Sequence, residues 1–93
     1  MIKSFADTET ERVFRRIFSR KLPADIQPVA LRKLRMINNA HGIKDLRSPP
    51  ANHLEKLSKD REGQHSIRIN DQWRVCFVWQ DGDAYDVEIV DYH

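Results

Sequence analysis

The chain has 93 residues, 40% of them hydrophobic and 32% charged, with a formal net charge of +2. That length suits a single domain, 1–93, with one modest core, and no low-complexity run signals disorder. No apolar segment approaches the roughly 20 residues needed to cross a bilayer. The start of the chain lacks the apolar region of a signal peptide, and one cysteine, Cys76, cannot close an internal disulfide. The expected setting is therefore the cytoplasm, with no membrane association.

In chain order, residues 2–5 read as a short strand. Thr8-Glu-Thr-Glu11 has the spacing of a capping box, and Val13, Phe14, Ile17 and Phe18 follow at helical spacing, so the pattern predicts an amphipathic helix over 9–19. Asp25 as a cap, Pro28 in the first turn, the apolar stripe Ile26, Val29, Ala30, Leu34 and Ile37, and Gly42 as a stop predict a second helix over 26–40. Residues 43–63 carry Ser48-Pro49-Pro50 and the polar turn 59–63, and read as a long, mostly irregular loop pinned by Leu46, Leu54 and Leu57. Segments 64–69, 73–79 and 85–92 each alternate with period two, joined by turns at 70–72 and 80–84. The predicted order is β-α-α-β-β-β, an α+β fold with two N-terminal helices on one face of a small, mainly antiparallel sheet.

Charge is segregated along the chain. Arg12, Arg15, Arg16, Arg20, Lys21, Arg32, Lys33 and Arg35 stand against the lone Asp25, while six acidic residues between Asp71 and Asp91 stand against Arg74. A basic half permits contact with nucleic acid or an acidic partner, although a solvated helix face accounts for such a run equally well.

Alternation also assigns faces to the sheet. A three-residue turn sets Ile67 against Val75, and a five-residue turn sets Trp79 against Tyr85, Phe77 against Val87 and Val75 against Ile89; these residues form the core under the helices. The opposite face carries Ser66, Arg68, Arg74, Cys76, Glu88, Val90 and Tyr92, with Arg68 directly across from Arg74. Like charges so placed cost roughly 0.2–1 kcal/mol. Two explanations compete: Glu88 neutralises the pair from within, or the pair is kept for an external anion such as a phosphate. Asp91, Tyr92 and His93 end the chain beside this face, and His53, Lys56 and Lys59 come from the long loop. His65 points to the core side and reads as a half-buried, hydrogen-bonded histidine; His41 suits a helix C-terminus. The histidines and cysteine lack zinc-ligand spacing, and neither a P-loop nor a dinucleotide-binding glycine motif is present, so no metal and no cofactor are expected. Arg, Tyr, His, Lys and carboxylates on an open sheet suit RNA cleavage: a base takes the 2′-hydroxyl proton, guanidinium groups hold the phosphate, and an acid protonates the leaving 5′-oxygen.

The element order, the Asp60-Arg-Glu-Gly63 turn, the hairpin Ile69-Asn-Asp-Gln-Trp-Arg74 and the ending Val87-Glu-Ile-Val-Asp-Tyr-His93 resemble HigB-type toxins of the RelE/ParE superfamily. Leu46-Arg-Ser-Pro-Pro50 is similar to the GraT-like branch. The resemblance implies a ribosome-dependent endoribonuclease that cuts mRNA, and a HigA-like helix-turn-helix antitoxin through which alone the complex meets operator DNA. It implies Arg74 as a phosphate-binding arginine and Asp91, Tyr92 and His93 as active-site residues. Arg68 joins Arg74 on the scissile phosphate, Asp91 or His93 is base or acid, and His53, Lys56, Lys59 and Arg61 are expected to bind RNA. Relatives place a His and a Lys just before the Asp-Arg-Glu-Gly turn; direct alignment puts Glu55 and Ser58 there, with His53, Lys56 and Lys59 displaced by one or two. The alternatives are a gyrase poison, as in the ParE branch, and a mainly antitoxin-binding corepressor that docks through an exposed 2–5 strand and the helix faces.

Overall fold

The computed structural model describes residues 1–92; His93 lies outside them. Two helices, α1 (Thr8–Phe14) and α2 (Gln27–Asn39), pack with a four-stranded antiparallel sheet of β1 (Glu55–Lys56), β2 (Gln64–Arg68), β3 (Trp73–Gln80) and β4 (Asp83–Asp91), in the order β1-β2-β3-β4. The α+β class and the placement of the helices agree with the sequence pattern. Among the described residues no helix is long and apolar enough to cross a membrane.

The N-terminal segment differs from expectation in its pairing. It bridges β4 in parallel at Ile2–Ala84 and Phe5–Val87, and its amides and carbonyls exchange hydrogen bonds with Ala84 and Val87. It closes the β4 edge, and Ile2 and Phe5 pack on the core, so it is not the exposed docking strand that the sequence suggested.

Helix α1 is shorter than the predicted 9–19. Its cap is Asp7, whose carboxylate accepts from Thr10 N–H at 2.7 Å and from the Thr10 hydroxyl at 3.0 Å; Thr8 is already helical. The buried Thr10 hydroxyl in turn accepts from Ile89 N–H at 2.9 Å, tying the helix to β4. The helix ends in a Schellman turn: Ile17 N–H donates to the Arg12 carbonyl, Arg16 N–H donates to the Val13 carbonyl, and Arg16 sits at φ 63°. An arginine at the position glycine usually takes hides this stop from a reading by periodicity. Ile17 and Phe18, expected on the buried stripe, are instead 47% and 62% exposed. Helix α2 keeps its predicted bounds to within a residue, with Pro28 in the first turn, but Asp25 is not its cap: it lies in the short 3-10 turn Ala24–Ile26, and the capping position is Ile26, which makes no side-chain bond.

The core comprises Ala30, Leu34 and Ile37 of α2 against Ile67, Val75, Phe77, Ala84 and Val87 of the sheet, all with no exposed surface. Burying each large side chain contributes about 1.5–3 kcal/mol, and Leu34→Ala would cost about 2–5 kcal/mol through the cavity it leaves. The 43–63 segment is held as expected by Leu46, Leu54 and Leu57. Its main polar pin is the fully buried Asn52, which donates to the carbonyls of Leu46 and Ser48 and accepts from Lys33 Nζ at 2.6 Å.

The first hairpin has the predicted register, Ile67 with Val75 and Arg68 with Arg74. The second is corrected. Val75 faces Ile89, but a two-residue turn, Asp81-Gly82, joins Gln80 to Asp83, with both turn residues at positive φ. This is the type I′ geometry that an Asp-Gly pair favours. The extra residues are taken up by a β-bulge in which Asp86 (φ 52°) and Val87 oppose Phe77 alone. The bulge changes the parity of β4. Ala84 rather than Tyr85 stands across from Trp79 and enters the core.

Candidate active site

The sheet face away from the helices carries a row made of Glu55, Ser66, Cys76 and Glu88, one residue from each strand. Arg74 lies beside this row, two residues along β3 from Cys76 and so on the same face. Its side chain is not splayed into solvent: the residue is only 8% exposed. Nε donates to Ser66 Oγ at 2.8 Å, and Nη2 donates to the His53 carbonyl and, at 3.4 Å, to the Ser66 carbonyl. The guanidinium carbon stands 5.9 Å from the centroid of the Tyr92 ring, within cation–π range. Glu55 Oε1 is 3.9 Å from Nη2, a long ion pair with a half-exposed carboxylate. Among the described residues Nη1 donates to nothing. Arg74 is therefore a rigidly oriented cation with one edge still open.

The two arginines coexist because they part. Arg68 turns to Asp71 in the hairpin loop, while Arg74 leans towards β1. Glu88, one of the two explanations for the pair, neutralises neither; it pairs with Arg61 at 3.2 Å. Arg61 also donates to Gln64 Oε1 at 3.1 Å, so this expected RNA contact already has an internal carboxylate. Cys76 is enclosed beneath these groups. Burial pushes its thiol pKa up, with Glu88 adding to the rise and Arg61 and Arg74 opposing it, which leaves it inert as a nucleophile.

The other expected site residues divide by register. Tyr92, 36% exposed, shares the face of Arg74 and is anchored by its N–H to the Gln72 carbonyl at 2.7 Å. Asp91 pairs with Trp73 across the strands, which puts it on the opposite side of β4 from Tyr92. Its Oδ2 accepts from Gln72 Nε2 at 3.0 Å. Lys56 likewise falls on the far side, opposite His65, and Lys59 is exposed in the turn before β2. His53 reaches Arg74 with its backbone carbonyl, held there by a left-handed conformation at φ 44°. His93 is outside the described residues. Among the described residues Glu55, rather than Asp91 or Lys56, is the carboxylate set beside Arg74. The sequence pattern gave it no expected role, since β1 is only two residues long.

His65 is half-buried, as expected, and stacks on Phe77 at 6.3 Å. Its Nδ1, however, is buried with no hydrogen-bond partner among the described residues. Burial, and then the charge of Lys56, hold its pKa below the usual histidine value. No cluster of metal-ligating side chains occurs among the described residues.

Comparison with known proteins adds a family. A family model described as the RelE-like toxin of the type II toxin–antitoxin system HigB matches residues 3–93. An uncharacterised protein of Haemophilus influenzae is 43% identical over 64 residues, covering 69% of this chain and 63% of that protein. Toxin HigB-1 of Vibrio cholerae is 42% identical over 65 residues, 70% of this chain and 68% of its own length. Endoribonuclease HigB of Proteus vulgaris is 33% identical over 93 residues, the whole of both chains.

Proposed function

We propose that this chain, which belongs to the RelE-like HigB family of type II toxins, is an endoribonuclease that cuts mRNA on the ribosome and so stops translation. As a toxin of a type II system it has an antitoxin partner; a HigA-like helix-turn-helix protein, which carries the pair to operator DNA, is the form we propose. The observation that carries the reading is the set of contacts around Arg74: a buried, oriented guanidinium with an open edge, an aromatic ring at 5.9 Å and a carboxylate at 3.9 Å on one uncovered sheet face.

The proposed chemistry uses that arrangement together with His93, which lies outside the described residues. A phosphodiester entering beside Tyr92 meets the open edge of Arg74, which lies ready for the charge that builds on the phosphoryl oxygens. Ser66 and the His53 carbonyl fix the guanidinium in advance, so little reorganisation is needed when charge develops. Glu55 takes the 2′-hydroxyl proton; the 2′-oxygen attacks phosphorus, and the bond to the 5′-oxygen breaks. That oxygen leaves with a proton from His93, the acid expected from the sequence, giving a 2′,3′-cyclic phosphate and a 5′-hydroxyl. Tyr92 stacks on a neighbouring base. Arg68, tied to Asp71, supports the phosphate field from a distance, and exposed Lys59 contacts the flanking RNA backbone.

The test is induction of the chain in growing cells, with primer extension on abundant transcripts. Discrete breaks within translated codons, absent with Arg74→Lys, are expected. Arrest of growth with intact transcripts and a DNA-damage response would overturn the reading in favour of gyrase poisoning.

A further inference from the structure

The strongest feature outside the Arg74 face lies on the opposite side of the molecule. A groove of about 440 Å3 runs between the end of α1 and the start of α2, lined by Val13, Arg16, Ile17, Phe18, Leu31 and Arg35 among others. Phe18 also borders a second depression with Arg20 and Lys21, and Ile17 borders a third with Arg15. These two side chains thus stand as ridges between hollows, the shape that lets apolar side chains of a partner interdigitate.

Their exposure is enforced by the fold. The Schellman turn reverses the chain at Arg16, and the next turn is bonded from within. Ser19, itself buried, donates its N–H to Gln27 Oε1 at 3.0 Å and its hydroxyl to Glu9 at 2.6 Å. Gln27 Nε2 returns bonds to the carbonyls of Ser19 and Leu22. A segment so fastened presents Phe18 already in place, which lowers the ordering cost of binding. Exposed aromatic and aliphatic pairs of this kind mark interaction surfaces in soluble proteins.

Charge identifies the occupant. Arg16 and Arg35 line the groove, and Arg20 and Lys21 line the adjoining hollow that shares Phe18 with it; all four are exposed and none has an ion pair among the described residues, whereas Arg12 and Arg15 are matched by Glu9 and Glu11. A second copy of this chain would bring one arginine rim against another, so self-association is disfavoured. We infer that this groove docks an acidic amphipathic segment of the antitoxin, its apolar stripe seated between Ile17 and Phe18 and its carboxylates on Arg16, Arg20, Lys21 and Arg35. The inference rests on the toxin–antitoxin reading and adds the surface and chemistry of the partner.

The experiment measures binding of the full-length toxin to the purified antitoxin of its own operon by calorimetry, alongside relief of growth inhibition in cells. Phe18→Asp is expected to weaken binding roughly 100-fold, as loss of a central aromatic anchor does, and to leave toxicity that the antitoxin no longer relieves. Arg35→Glu, a solvent-facing change that disturbs no packing, is expected to weaken binding about 10-fold and to reduce its salt dependence. Arg74→Lys is expected to bind the antitoxin as the wild type does. Unchanged antitoxin affinity in both groove variants would overturn the inference. So would a wild-type dimer at micromolar concentration that Phe18→Asp dissolves, since the groove would then serve self-association. Growth inhibition by the wild type, relieved by the antitoxin, tests the underlying reading separately.

Discussion

Arg74 Nε and Ser66 Oγ, on neighbouring strands of the uncovered sheet face, are joined by a 2.8 Å hydrogen bond in which a buried guanidinium is the donor. The bond lets the sheet hold an arginine across from another arginine without leaving either loose. Ser66→Ala would leave Nε buried without an acceptor, at a cost of about 1–3 kcal/mol. Loss of the restraint would lower RNA cleavage by roughly 10- to 100-fold, and Ser66→Thr, which keeps the hydroxyl, would restore most of it. Thermal melts and cleavage assays on the three proteins check this; a Ser66→Ala variant that is folded and fully active would separate the serine from the mechanism. The same burial means that Arg74→Ala strips three acceptors of their donor and is itself destabilising.

Glu55 and Asp91 present a direct contest for the role of base. Glu55 stands 3.9 Å from Arg74, and Asp91 is turned to the far side of β4 and held by Gln72. Removing a general base typically costs about 10²–10⁴ in rate. Glu55→Gln is expected to lose that much cleavage at saturating substrate, and Asp91→Asn less than about 10-fold. Single-turnover rates on ribosome-bound message decide it, and the reverse ranking would move the base to the end of the chain.

The Arg61–Glu88 pair makes a prediction of opposite sign. Both side chains are about one-third exposed, so the pair contributes no more than about 1 kcal/mol to stability. Its effect lies in silencing a cation near the RNA face. Glu88→Gln should free Arg61 for one more phosphate, steepening the slope of log affinity against log salt by about 0.7 for single-stranded RNA. Arg61→Ala should leave the wild-type slope in place. Fluorescence anisotropy over a salt series reads both.

His65 supplies a pH dependence. Its pKa is lowered in the fold, first by burial and then by Lys56, so the folded chain favours the neutral ring while the unfolded chain titrates near 6.5. Its contribution is therefore fully present above about pH 6.5 and is lost as pH falls below that value towards the folded pKa. His65→Leu removes the titration together with the unpartnered Nδ1. The variant should match or exceed the wild type at pH 7 and hold its melting temperature better at pH 5. An equal acid-induced drop in both proteins would contradict the assignment.

These relationships were legible in the sequence to different depths. Strict alternation around Arg68 and Arg74 fixed the first hairpin, its register and the two faces, because a one-residue slip would expose Ile67 and Val75 together. The second hairpin escaped the same reasoning because Asp86 takes a left-handed conformation and resets the alternation; the Asp81-Gly82 pair was the signal for the tighter turn. The carboxylate beside Arg74 depended on β1, a two-residue strand too short for any periodicity to reveal. The enclosure of Arg74 by the His53 carbonyl is a backbone contact 21 residues away in sequence, which side-chain patterns do not encode.

The end of α1 gives a test in which the sequence reading and the structure predict opposite outcomes. Periodicity carried the helix on to 19, which would place Arg16 in its interior; there Arg16→Gly would cost about 1 kcal/mol. In the structure Arg16 sits at φ 63° as the reversing residue of a Schellman turn. An L-residue is strained in that region and glycine is not. Part of the gain is offset by the greater freedom of glycine in the unfolded chain, which leaves a net stabilisation of about 0.5–1 kcal/mol. For a domain of this size that is a rise in melting temperature of roughly 2–8 °C. The substitution also deletes one cation from the rim of the apolar groove, so the variant should melt higher while holding the antitoxin slightly less well. A fall in melting temperature would mean that the helix continues past Phe14 and that Ile17 and Phe18 are not presented as described.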